Sequence, residues 1–290
     1  MRGMEQMKSF EKIMKYVFII ASLVSVLSIV VISVFIFKGG VPFIKDYGLI
    51  KFLTGTEWLP GNTPASFGLL PMILGSLYVT VGAMIIGVPI GVLTAIYMAK
   101  FCPDRLYKVL SPAVQLMAGI PSIVYGFFAL NVITPLVRNI SGDGLSILTA
   151  SILLAIMILP TVITLSEASI RAVPKSYYEG SIALGANDEE SVFRTVVPAA
   201  KNGIMASIIL AMGRAIGETM AVLRVAGNQT RIPDSIFDGG RTLTTNIAME
   251  MSYAEGMHRE SLIATAVVLF VFILVINSIF MMLKRRDTNC

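Results

Sequence analysis

The sequence predicts an all-α membrane protein with six transmembrane helices and both termini in the cytoplasm. Three observations predict it. Hydrophobic residues make up 55% of the 290 residues and charged residues only 14%, with a mean hydropathy of +0.79; a soluble chain carries about 25% charge. Six long apolar runs punctuate the chain, and six spans need about 120 residues in all. Lysine and arginine fall unevenly on the two sides those runs define. A soluble enzyme, a disordered chain and a nucleic-acid binder do not fit this composition, and the net charge of +5 matters here through its placement.

The runs are justified in order. The first, 16–37, is flanked by Lys12, Lys15 and Lys38 and is too long for the apolar part of a signal peptide. The second, 69–98, contains Pro71 and Pro89. The third, 109–137, is broken by Gly119-Ile120-Pro121, and the fourth, 145–170, contains Pro160. The prolines read as kinks, tolerated where neighbouring groups satisfy the freed backbone. The fifth run, 202–226, holds Arg214 and Glu218, and the sixth, 261–283, stops at Lys284-Arg285-Arg286. One side then carries Arg2, Lys8, Lys12, Lys15, Lys100, Arg105, Lys108, Arg171, Lys175, Arg194, Lys201 and the three basic residues at 284–286. The other carries half as many, Lys38, Lys45, Lys51, Arg138, Arg231, Arg241 and Arg259. The richer side is cytoplasmic. The whole chain reads as a single transmembrane domain.

Cys102 and Cys290 are far apart, with no CxxC and no histidine cluster, so neither a disulfide framework nor a zinc site is expected. There is no phosphate-binding GxxxxGK[ST] loop and no HExxH. No cofactor is expected in this chain, and any ATP chemistry belongs to another subunit. His258, beside Arg259 and Glu260, reads as a solvated loop residue, and Met249, Met251 and Met257 read as packing.

Residues 171–201 form the longest cytoplasmic segment. Pro174 precedes SYYEGSIAL, whose apolar positions suit a short helix, and Gly185 ends it. Asn187 or Asp188 can cap a second helix whose first turn is acidic. The expectation is a rigid helical hairpin able to transmit force from a soluble partner, or an ordinary surface hairpin.

Arg214 and Glu218 lie four residues apart, so on a continuous helix they share a face and can pair. A charge at mid-membrane opposes insertion by roughly 2.5–3.5 kcal/mol. Such residues face a bundle interior or an aqueous path. Arginine suits an oxyanion because its planar fork gives two parallel hydrogen bonds and stays charged. Glu218 would keep the anion from being trapped and could accept a hydrogen bond from a protonated phosphate oxygen, which ionised sulfate lacks. A structural ion pair is the alternative. Gly213 and Gly217 flank the pair at a spacing that permits close helix approach. Arg224, nearer the outer end, either snorkels or joins an outer anion funnel. The outer segments, about 38–68 and 227–260, either dock a soluble protein or pack over the bundle.

Several segments resemble a known family. Glu179-Gly180-Ser181, then Gly185, then Pro198 keeps the glutamate, glycine and proline spacing of the EAA motif of ABC-importer permeases, with departures at Gly180, Ser181, Thr195 and Val197. GRAIGETMAV at 213–222 resembles the fifth-helix segment of PstC-type permeases of phosphate ABC importers. AGIPSIVYGFFAL at 118–130, FLTGTEWLPG at 52–61 and the segment 227–251 are similar to the same family. The resemblance implies a type I ABC-importer permease fold in a bacterial inner membrane and import of inorganic phosphate by alternating access. It implies a PstA-type permease as heterodimer partner, two ATP-binding subunits carrying ATP and magnesium, and an external phosphate-binding protein. It places Glu179, Ala183 and Gly185 at the contact with the ATP-binding subunit, and Arg214 and Glu218 on the phosphate path. A permease for another oxyanion (sulfate or molybdate), a gradient-driven secondary transporter and a membrane-embedded signalling subunit compete with this reading.

Overall fold

In a computed structural model, the described residues are 2–287, with side chains at 11, 14–279, 281 and 282. Arg2, Lys8, Lys12, the basic residues at 284–286 and Cys290, which entered the charge and cysteine readings, have side chains outside the described set. In chain order the elements are α1 (Arg2–Tyr47), α2 (Leu49–Thr54), β1 (Trp58–Leu59), β2 (Ser66–Phe67), α3 (Leu70–Ile96), α4 (Asp104–Gly119), α5 (Ser122–Phe128), α6 (Thr134–Arg138), α7 (Ile147–Arg171), α8 (Lys175–Ala183), α9 (Asp188–Ser191), α10 (Val197–Ala199), α11 (Lys201–Gly217), α12 (Met220–Val225), α13 (Leu243–Glu250) and α14 (Gly256–Asp287). Wider π-type turns at 97–101, 129–133 and 192–196 join α3 to the loop beyond it, α5 to α6 and α9 to α10.

Four helical stretches are long and apolar enough to cross a membrane: Met14–Tyr47, Leu70–Phe101, Ile147–Arg171 and Gly256–Ile279. Two bent pairs, Asp104–Gly119 with Ser122–Arg138 and Asp188–Ala199 with Lys201–Gly217, raise the number to six if each pair is one span. The first pair turns through 100°. Pro121 bars its predecessor from helical backbone, and Ile120 is extended with ψ 127°. The Tyr125 hydroxyl then donates to the Met117 carbonyl at 2.8 Å, tying the two arms together.

The first apolar run continues as helix past Phe37, through Gly39, Gly40 and Pro42, to Tyr47. A Cβ on Gly40 would lie 2.9 Å from the Ala264 Cα and 2.7 Å from Val267 Cγ2. Absence of a side chain therefore lets α1 lie against α14, and that packing carries the helix on. The rest of the first long loop is ordered too. β1 and β2 pair antiparallel, Trp58 opposite Phe67, and Phe43, Phe52, Trp58 and Phe67 pack edge to face with centroids 5.3–5.7 Å apart.

Three apolar clusters hold the bundle. The central one joins α3, α5, α7, α11 and α12 through residues such as Val79, Leu153, Ile158, Ala211 and Val222. A second gathers Trp58, Met72, Leu243 and Leu262 at the start of α3. The third gathers Ile96, Ile170, Val192 and Val196 at its far end. Helix α3 thus runs from the Trp58 end of the molecule to the end bearing α8 and α9.

Candidate functional site

At the second end, α8 closes on a Schellman motif: the amide of Gly185 donates to the Ile182 carbonyl at 2.9 Å and that of Ala186 to the Ser181 carbonyl at 3.2 Å. Gly185 has φ +95°. Asn187, not Asp188, is the cap of α9. Its side chain accepts from the Glu190 amide at 2.8 Å while Glu190 reaches back to the Asn187 amide, a complete capping box. The Tyr178 hydroxyl donates to Asp188 Oδ1 at 2.7 Å and crosses the hairpin; that bond holds the phenol proton and pushes its pKa up. The hairpin expected over 171–201 is therefore built, and every device in it is local.

Glu179, Ala183 and Gly185 are all exposed on this hairpin. A residue the sequence reading passed over stands with them. Leu184 is 91% exposed, and Tyr177 is 52% exposed on the same helix. The cue was a large apolar leucine directly before a helix-ending glycine. Replacing Gly185 with valine is expected to cost about 1–2 kcal/mol, since a side chain is disfavoured in left-handed backbone. Amide exchange in 175–191 should then rise about five- to thirtyfold. Gly185→Asn, which tolerates that backbone, should exchange more slowly than the valine variant; equal protection in wild type and Gly185→Val would refute the motif's contribution.

The second site lies where the fifth apolar run is interrupted. Helix α11 ends at Gly217, and Glu218 is extended (φ −68°, ψ 132°). The run expected at 202–226 is thus two helices. Arg214 and Glu218 do not share a helix face, and among the described residues they form no ion pair; the i,i+4 expectation fails because Glu218 has left the helix. Arg214, on the last turn of α11, is exposed, and its Nη1 reaches Thr161 Oγ1 of α7 at 3.4 Å. Glu218 turns the other way. Its Oε1 accepts from the Ala221 amide at 3.1 Å and so covers the start of α12. Arg224 is exposed, with its guanidinium over the Phe127 ring 5.1 Å from the centroid. A Cβ on Gly213 or Gly217 would meet nothing within 4 Å, so among the described residues no helix makes the close approach that their spacing permits.

The segment 227–251 folds back into the bundle, and α13 is buried there with Leu243, Thr245 and Asn246 at 0% exposure. Glu250 is the hub. Arg241 Nη1 donates to Glu250 Oε1 at 2.5 Å and to Asn246 Oδ1 at 2.9 Å. Trp58 Nε1 donates to Glu250 Oε2 at 2.8 Å, and His258 Nε2 lies 2.8 Å from the same oxygen. His258 is therefore no solvated loop residue: its side chain is only 16% exposed and sits between Trp58 and Tyr253. No local pattern announced this, because its partners come from other elements.

Known proteins match this chain. The family described as "binding-protein-dependent transport system inner membrane component" matches residues 87–287. A probable ABC transporter permease, YqgH of Bacillus subtilis, is 38% identical over 88% of this chain and 86% of its own. The phosphate transport system permease PstC of Mesorhizobium japonicum is 34% identical over 89% of this chain and 85% of its own. Among solved structures, a bacterial alginate ABC transporter in complex with an alginate-bound periplasmic protein aligns with a TM-score of 0.65 at 16% identity, over 92% of this chain and 94% of that one. The MetNI methionine ABC transporter aligns with a TM-score of 0.62 at 19% identity, over 75% and 95%. The chain belongs to the inner-membrane components of binding-protein-dependent transport systems, as a multi-pass ABC-importer permease. It is a transport subunit and not an enzyme.

Proposed function

We propose that this permease imports inorganic phosphate by alternating access. It does so as half of a permease heterodimer with a PstA-type subunit, driven by two ATP-binding subunits and supplied by an external phosphate-binding protein. The observation that carries the reading is the exposed Arg214 at the broken end of α11, four residues before Glu218, which among the described residues is not spent on an ion pair. Discontinuous helices in membrane transporters commonly face substrate. Arg214 binds the passing oxyanion through its fork. Glu218 tempers that attraction and accepts from a protonated oxygen, which favours phosphate over sulfate. Arg224, above Phe127, lies further along the run and draws the anion in. The family resemblance over most of the chain to phosphate permeases supports the same substrate.

At the other end, the hairpin meets an ATP-binding subunit through Glu179, Ala183 and Gly185, and the exposed Leu184 is the apolar side chain such a contact would cover. ATP and magnesium are held by those partners, and this chain contributes no cofactor site. The test is uptake of labelled phosphate into proteoliposomes containing this chain, its partner subunits and internal ATP, with the loaded binding protein outside. ATP-dependent uptake that resists excess sulfate is the expected result. Equal competition by sulfate would make it a permease for oxyanions at large, and uptake indifferent to ATP would overturn the coupling role of the hairpin.

A further inference from the structure

A helix broken inside a bundle leaves backbone groups that must be satisfied by something else. In a continuous helix the Gly217 and Glu218 carbonyls would accept from the amides of Ala221 and Val222. Here the Ala221 amide goes to the Glu218 carboxylate at 3.1 Å. The Gly217 carbonyl takes the Thr219 hydroxyl at 3.2 Å. The Glu218 carbonyl takes the hydroxyl of Thr244, from α13, at 3.0 Å. Thr244 is 7% exposed and is the one long-range donor among these three.

The helix that carries Thr244 is itself firmly seated. The Thr242 side chain caps α13 in a capping box. The Leu243 amide donates to Ser76 Oγ of α3 at 2.9 Å. A Cβ on Gly75 would collide with the Arg241 carbonyl oxygen, so the backbone before α13 lies directly on α3. Glu250, at its far end, is held by Arg241, Trp58 and His258.

We infer that Thr244 is a positioning residue for anion passage: its hydroxyl stands in for the missing amide at the Glu218 carbonyl, and α13 thereby holds the fifth run broken with the Glu218 carboxylate turned onto α12. If the hydroxyl is lost, the donor that regular helix geometry assigns to the Glu218 carbonyl is the Val222 amide. Taking that bond extends the helix across the break and swings the carboxylate off the Ala221 amide. The α13 helix is then a strut between the Trp58 end of the molecule and the interruption. This inference rests on the reading that Glu218 lines the path.

The experiment uses the assembled importer in proteoliposomes, with Thr244→Val, which keeps the shape and removes the hydroxyl, Thr244→Ser, which keeps the hydroxyl, and Glu218→Gln. Phosphate carried per ATP hydrolysed and amide exchange of the 217–226 segment are read for each. Thr244→Val is expected to lower phosphate per ATP by about five- to a hundredfold, the range set by stranding one buried carbonyl, and to alter exchange in 217–226. Thr244→Ser should restore both. Wild-type values for both readouts in Thr244→Val would overturn the inference, as would a serine variant as impaired as the valine one. If instead Glu218→Gln transports like wild type, the path reading fails, and exchange in 217–226 alone then decides whether Thr244 holds the break.

Discussion

Replacing Arg214 with alanine is expected to cut ATP-dependent phosphate uptake on the order of a hundredfold, the loss typical of removing one charged donor from a developing or passing oxyanion. The same variant should leave the thermal midpoint of the assembled importer where it is in the wild type. The two expectations together discriminate. Had Arg214 and Glu218 formed the ion pair that their spacing allows, alanine would have stranded a carboxylate, and stability would fall with transport. Instead the one hydrogen bond of the Arg214 guanidinium among the described residues is to the Thr161 hydroxyl, at 3.4 Å, and Glu218 is engaged with α12. A charge that forms no ion pair among the described residues, in an apolar run where a mid-membrane charge opposes insertion by roughly 2.5–3.5 kcal/mol, needs a reason outside the fold. Arg214→Lys should fall between wild type and alanine, since lysine keeps the charge and loses the fork. Full uptake in Arg214→Ala would remove the arginine from the path, and a lowered midpoint would return it to a structural role.

The contrast between the hairpin and the fifth run explains what the sequence could convey. Gly185, Asn187 and Glu190 act on backbone within four residues of themselves, so helix, turn and second helix were readable from composition and order alone. The long apolar runs were readable because hydropathy needs no partner. The break at Glu218 was hidden for the opposite reason. GRAIGETMAV contains no proline to mark a stop, and the donor that stabilises its interruption is Thr244, a residue in another segment. His258 was misread likewise. Its carboxylate partner is Glu250, whose same oxygen also takes Trp58 Nε1 from 192 residues earlier in the chain. Pro121 did mark a break, though a residue-level rule gives the stop and not the 100° turn. Local chemistry was legible, and the placement of Arg214 against α7 was not, since it depends on how three helices pack.

Glu250 is where the largest loss of stability is expected. Its side chain is 7% exposed and that of Arg241 is 11% exposed, so neither charge is well hydrated. Removing one member of a buried pair strands the other, at about 3–5 kcal/mol. Glu250→Ala strands Arg241 and also deprives Trp58 Nε1 and His258 of their acceptor. The assembled importer should therefore melt well below wild type. Arg241→Met should be destabilising for the same reason. The double variant Arg241→Met with Glu250→Leu removes both charges, and its loss should be smaller than the sum of the singles. Additive losses would mean that the two residues do not act as a pair. The cycle also separates this network from the site it supports. A stable double variant that still transports poorly would show that the pair positions α13, whereas one that regains both stability and uptake would reduce it to packing. The first outcome is expected, because an apolar pair can refill the volume but offers Trp58 no acceptor and Asn246 no donor, and α13 is then held at one end only.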